Sequence, residues 1–98
     1  MTINKETNAS TLKLTLIGRL DTTTAPMLEA ELKQSVKDVT ELIFDFSGVE
    51  YISSAGLRVL LAAQKVMNRQ GSMKLLGVNP SVMEVFEITG FTDILTIE

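Results

Sequence analysis

An apolar run, Leu42-Ile43-Phe44, leads into the passage Asp45 to Ala55, and an amphipathic stretch from Leu57 to Met67 follows. A short apolar run bounded by a turn signal reads as a buried strand. The spacing of Leu57, Leu60, Leu61 and Gln64 reads as a helix that packs by one face, with Gln64 where the apolar stripe meets water. Val59, Ala62, Ala63, Val66 and Met67 widen that face. This strand-loop-helix unit constrains the chain strongly, because the same alternation recurs on both sides of it. Repeated units of this kind give parallel strands joined by right-handed crossovers.

On the amino-terminal side, Thr2 to Glu6 is compatible with a short edge strand, and Thr7-Asn8-Ala9-Ser10 is turn-like. Leu12, Leu14 and Leu16 alternate with Lys13 and Thr15, which predicts a strand with one buried face. A link this short predicts an antiparallel hairpin. Gly18-Arg19-Leu20-Asp21 leaves that strand. Thr24-Ala25-Pro26 opens a helix, with Thr24 as cap and Pro tolerated in the first turn. Leu28, Leu32 and Val36 form its apolar stripe, and it should end near Lys37 or Asp38. The central strand runs from Glu41 to Phe46 and the central helix from about Ala55 to Arg69. Gly71 ends that helix through its freedom to turn left-handed. Met73 to Val78 reads as another core strand. Asn79-Pro80 starts a last helix with Val82, Val85 and Phe86 inward, and Gly90 stops it. Asp93 to Ile97 is a terminal strand or tail. The expected fold is α/β: a mixed sheet of four to five strands packed against three to four helices, forming one domain over residues 1–98.

Composition removes several function classes. The chain has neither histidine nor cysteine, so the commonest general base, the commonest zinc ligand and any thiolate are missing. A net charge of −3 does not suit direct contact with nucleic acid, which needs a basic face. No stretch is apolar enough to span a bilayer, and the first residues lack a signal-peptide pattern, so a cytoplasmic location without membrane attachment is expected. A nucleophilic serine would need a base, and Lys65 would lie roughly 16 Å from Ser54 along the same helix. No phosphate-binding glycine loop is present. No catalysis, cofactor or metal site is expected. Asp45 and Glu50 lack companions at ligand spacing and read as solvated charges.

Ser53 and Ser54 stand where the central helix begins. A serine there can simply cap the helix. The same place is also a low-cost seat for an anion, because free N–H groups and the positive dipole end face outward. Gly56 adds no side chain to the first turn and so reads as open to an approaching partner.

The run Ser47-Gly48-Val49-Glu50-Tyr51-Ile52-Ser53-Ser54-Ala55-Gly56-Leu57 resembles the signature of the STAS-domain anti-sigma factor antagonists. Gly18-Arg19-Leu20-Asp21 with its threonines matches the family's second recurrent segment, and the Pro80-to-Gly90 helix ending in Gly90-Phe91 fits the third. The resemblance implies that Ser54 is phosphorylated by a partner anti-sigma factor that is itself a serine kinase, with a cognate serine phosphatase reversing it. Ser53 stands where the family often has Asp. The resemblance further implies a partner-binding surface of Asp21, Thr22, Thr23, Ser53, Ala55, Gly56 and Arg58. Asp21 also has a purely local reading, as an acceptor for nearby backbone N–H groups. Two functions fit: an antagonist that binds the kinase when dephosphorylated and frees a sigma factor, or a STAS adaptor that docks on a larger assembly and is never phosphorylated.

Overall fold

The computed structural model describes residues 1–98. Strands β1 (Thr2–Asn8) and β2 (Thr11–Leu20) form an antiparallel hairpin. Its loop is two residues rather than four: Asn8 still pairs with Thr11, and Ala9 turns with φ 54°. Strand β2 also runs on through Gly18-Arg19-Leu20 instead of ending before them. Helix α1 (Ala25–Ser35) follows, then β3 (Glu41–Ile52), α2 (Ser54–Gln70), β4 (Ser72–Leu76), α3 (Pro80–Thr89) and a short 3-10 turn, Phe91–Asp93. The sheet order is β1-β2-β3-β4, with β3 parallel to both β2 and β4. This is the mixed four-stranded sheet with an opening hairpin. The tail adds a single bridge, Ile97 beside Leu75 on the β4 edge.

The helices cover one face of the sheet. Leu12, Leu14 and Leu16 of β2, Leu42, Phe44 and Phe46 of β3, and Met73 and Leu75 of β4 point into it and are buried. Leu28 and Leu32 of α1, Leu57, Leu60, Ala63 and Met67 of α2, and Val82 and Phe86 of α3 meet them. Phe46 lies between Phe44 and Phe86, with ring centroids 6.1 and 6.2 Å away. Burying each large side chain is worth about 1.5–3 kcal/mol, so this layer dominates stability.

Strand β3 is twice as long as the expected Glu41–Phe46, continuing to Ile52 through two bulges. Thr15 pairs with Asp45 but Ile17 pairs with Gly48, and Gly18 pairs with Val49 but Arg19 with Tyr51. Each irregularity adds one residue to β3 and resets which side chains face inward. The buried set therefore runs Phe46, Val49, Ile52, at a spacing of three that does not look like a strand. Asp45 pins the first bulge: its Oδ1 accepts hydrogen bonds from the Ser47 N–H at 2.9 Å and the Ser47 hydroxyl at 2.6 Å. It is thus a structural acceptor and not merely a solvated charge. The Ser47 hydroxyl bond, then its N–H bond, holds the Asp45 carboxyl below the usual carboxylate range.

Three other expectations change. Helix α1 ends at Ser35, short of Lys37, and the loop after it is held from α2: the Gln70 amide donates to the carbonyls of Val36 and Val39 at 2.7 and 2.6 Å. Gly71 has an extended φ of 173°, not a left-handed one. Its lack of a side chain matters because a Cβ there would collide with the Thr40 carbonyl. Gln64 is buried rather than at the water's edge, and its amide donates to Asn68 Oδ1 at 2.8 Å. Asn79 behaves as expected: its Oδ1 caps α3 by accepting from the Val82 N–H at 2.8 Å, while its Nδ2 donates to the Val49 carbonyl at 2.7 Å. Gly90 stops α3 in the left-handed region.

Candidate functional site

Parallel strands deliver their following loops to one end of a sheet. Here the link is direct: the Ser53 N–H donates to the Leu20 carbonyl at 2.9 Å, joining the start of α2 to the end of β2. The loop that begins at Asp21 therefore lies beside the two serines. Thr22 from that loop, Ala25, Pro26 and Glu29 from α1, and Ala55, Arg58 and Val59 from α2 line one open recess.

Within the loop, Asp21 and Thr24 hold each other. Asp21 Oδ1 accepts from the N–H groups of Thr23 and Thr24 at 3.0 and 3.1 Å. The Thr24 hydroxyl accepts from the Asp21 N–H at 2.9 Å and donates to the Arg19 carbonyl at 2.7 Å. Thr24 occupies the cap position of α1 but does not cap it through its side chain. The local reading of Asp21 thus describes its bonds. The Thr24 N–H first, then that of Thr23, the Thr24 hydroxyl and the Arg19 charge hold the Asp21 carboxyl below its ordinary range, against an opposing effect of desolvation that only the Thr24 N–H bond exceeds singly. The loop presents a fixed negative charge.

At the start of α2 the two serines divide their work. Ser53 is half-buried, and its Oγ accepts from the Gly56 N–H at 3.4 Å, a long capping bond. Ser54 is exposed in the first turn, and its hydroxyl makes no hydrogen bond within the chain. A helix leaves its first N–H groups without intrahelical acceptors. Those of Ser53 and Gly56 are satisfied as described, and those of Ser54 and Ala55 have no acceptor within the chain.

Not every predicted contact residue reaches this surface. Thr22, Thr23, Ser54 and Arg58 are exposed, and Asp21, Ser53 and Ala55 are half-buried. Gly56 is buried, contrary to the expectation that it lies open to a partner. A Cβ there would stand 2.7 Å from Leu20 Cγ and 2.9 Å from Ile52 Cγ1. Its bareness lets α2 approach the ends of β2 and β3. Two further residues join the site that the sequence did not single out. Arg19 lies 4.3 Å above the Tyr51 ring and brings its Nε to 3.6 Å from Asp21 Oδ2. Their pairing follows from the second bulge, which sets Arg19 opposite Tyr51. No three acidic side chains converge to hold a metal ion. No helix is long and apolar enough to cross a membrane.

The STAS domain model matches residues 2–98. The chain belongs to the STAS domain family. A provisionally named anti-sigma factor antagonist, BtrV, of Bordetella bronchiseptica is 43% identical over 84% of this STAS domain and 72% of its own length. The anti-sigma-B factor antagonist of Listeria monocytogenes is 33% identical over 96% of the chain and 84% of its own length. Among solved structures, the anti-sigma factor antagonist SpoIIAA of Bacillus superposes in its unphosphorylated form with a TM-score of 0.79 at 20% identity, over 99% of this chain and 87% of that one. Its phosphorylated form gives 0.77 at 21% identity, over 99% and 91%. At that identity the likeness speaks for the fold.

Proposed function

We propose that this STAS domain is an anti-sigma factor antagonist switched by phosphorylation of Ser54. One observation carries the reading. Ser53 is engaged in capping, whereas Ser54 beside it is exposed and has a free hydroxyl, at a helix start where the N–H groups of Ser54 and Ala55 are unpaired. The names of the relatives supply the class of partner, an anti-sigma factor. SpoIIAA, with the same fold, has been seen both with and without phosphate.

In this mechanism the dephosphorylated chain binds a cytoplasmic anti-sigma factor kinase through the Asp21–Thr23 loop and the start of α2, and the sigma factor is released. The kinase then directs the Ser54 oxygen onto the γ-phosphorus of ATP. The Ser54–phosphate bond forms, the bond to the β-phosphate breaks, ADP leaves, and the hydroxyl proton passes to a base of the kinase. A serine phosphatase restores the hydroxyl by hydrolysis. The added group carries about −1.5 to −2 charges. Within the chain the free N–H groups and the dipole accept that charge, so the fold persists. At the interface the dianion stands near the fixed charge of Asp21. Like-charge juxtaposition on docking can cost several kcal/mol, and each 1.4 kcal/mol is about tenfold in affinity. A loss of roughly a hundredfold or more is expected.

The test is a binding titration of the native chain, Ser54→Ala and Ser54→Asp against the kinase, with and without ATP. Native protein should be released by ATP, Ser54→Ala should stay bound, and Ser54→Asp should bind poorly. Release of Ser54→Ala by ATP, or phosphate found on Ser53, would overturn the assignment. Tight binding by all three forms with no phosphate uptake would replace it with the adaptor reading.

A further inference from the structure

Ser54 and Arg58 lie four residues apart in α2, and both are exposed. Side chains at that spacing stand one above the other on a helix face, with Cβ atoms about 5–6 Å apart. Two arginines serve this end of the sheet. Arg19 is occupied by the Asp21 carboxylate and the Tyr51 ring. Arg58 makes no ion pair and no side-chain hydrogen bond. Across the recess from Arg58 stand Thr22 and Glu29, and Glu29 is paired instead with Lys33 at 3.7 Å.

We infer that Arg58 is an internal clamp for the Ser54 phosphate: its guanidinium turns back one helical turn and binds the phosphoryl oxygens beside the free N–H groups of Ser54 and Ala55. This rests on the phosphorylation proposed above and names the residue that receives the charge. The guanidinium fork suits a phosphate and cannot lose its proton near neutrality. A cation exposed on the surface of the neutral form is thereby withdrawn in the phosphorylated form, so the switch removes an attractive contact as well as adding a repulsive one. The charged groups around the pair are Asp21 and Arg19 from the β2 end and Glu29 from α1. Arg58 is the one of these cations without a carboxylate partner.

The experiment installs phosphoserine at position 54 during synthesis, so no kinase is involved, and follows its second ionisation by phosphorus NMR. An adjacent cation favours the dianion. The midpoint should therefore lie lower in the otherwise native chain than in Arg58→Gln, by roughly 0.5 pH unit, about threefold in proton affinity. Arg58→Lys should recover part of the shift. Equal midpoints in the native and Arg58→Gln chains would overturn the clamp. Whether Ser54 is a substrate at all is read separately, by mass spectrometry of the native chain after incubation with the kinase and ATP. Failure there overturns the phosphorylation reading and leaves the pairing measured by NMR intact.

Discussion

Helices α1 and α2 start side by side at the same end of the sheet, and they start differently. The turn before α1 is closed by its own bonds: Asp21 Oδ1 accepts from two backbone N–H groups, and the Thr24 hydroxyl accepts from a third and donates to the Arg19 carbonyl. The start of α2 has one long side-chain cap from Ser53 and a bare hydroxyl at Ser54. A turn closed by this many of its own hydrogen bonds has little freedom to change. An end with unmet donors gains by receiving an anion. The first holds a charge still, and in the proposed switch the second receives one. Helix α2 can leave its end so open because its body is held elsewhere, by Leu57, Leu60 and Met67 in the core and by Gly56 against Leu20 and Ile52.

That division would fail first at the body of α2. Leu60→Ala removes a fully buried side chain and should destabilise the fold by about 2–5 kcal/mol in chemical denaturation. Gly56→Val, forced against Leu20 and Ile52, should cost about 1–3 kcal/mol. If both left the denaturation midpoint unchanged, α2 would not be anchored as described.

The Asp21 turn comes next. Asp21→Ala removes the acceptor of two N–H bonds and should destabilise more than any change at Ser53 or Ser54, whereas Asp21→Asn should retain most of the stability because its side-chain oxygen can still accept. The carboxyl ionises more readily folded than unfolded. Its contribution is therefore present above the unfolded pKa, near 4, and disappears as pH falls through the lower folded value. Denaturation of native and Asp21→Ala chains should differ fully at about pH 7 and converge below about pH 4. A gap that widened on acidification would contradict the bonding given for Asp21.

The smallest effects separate the serines. Ser53→Ala loses a long cap and should cost about 0.5 kcal/mol, the low end for such caps. Ser54→Ala should stay within about 0.5 kcal/mol of native while, in the proposed switch, abolishing release by ATP. A larger stability loss at Ser54 than at Ser53 in parallel melts would reverse their roles.

The sequence by itself determined the order of strands and helices, the opening hairpin, the buried stripe of α2, the Asn79 cap and the position of the two serines. Each of these is local: a period of two or of three and four, or a cap within three residues of the N–H it serves. The tertiary structure alone decided that β3 reaches Ile52, because its bulges are defined against β2 and replace the strand period with Phe46, Val49, Ile52. It decided which side of Gly56 and Gly71 is crowded, since the crowding atoms belong to Leu20, Ile52 and Thr40. It also decided that Arg19 is spent on Asp21 and Tyr51 while Arg58 is free. Neither spacing nor residue type carries such information, because each depends on which distant backbone the chain brings alongside. The bent end of β3 and the Asp21 turn converge only when β2 and β3 lie in register, and that register sets the surface around Ser54.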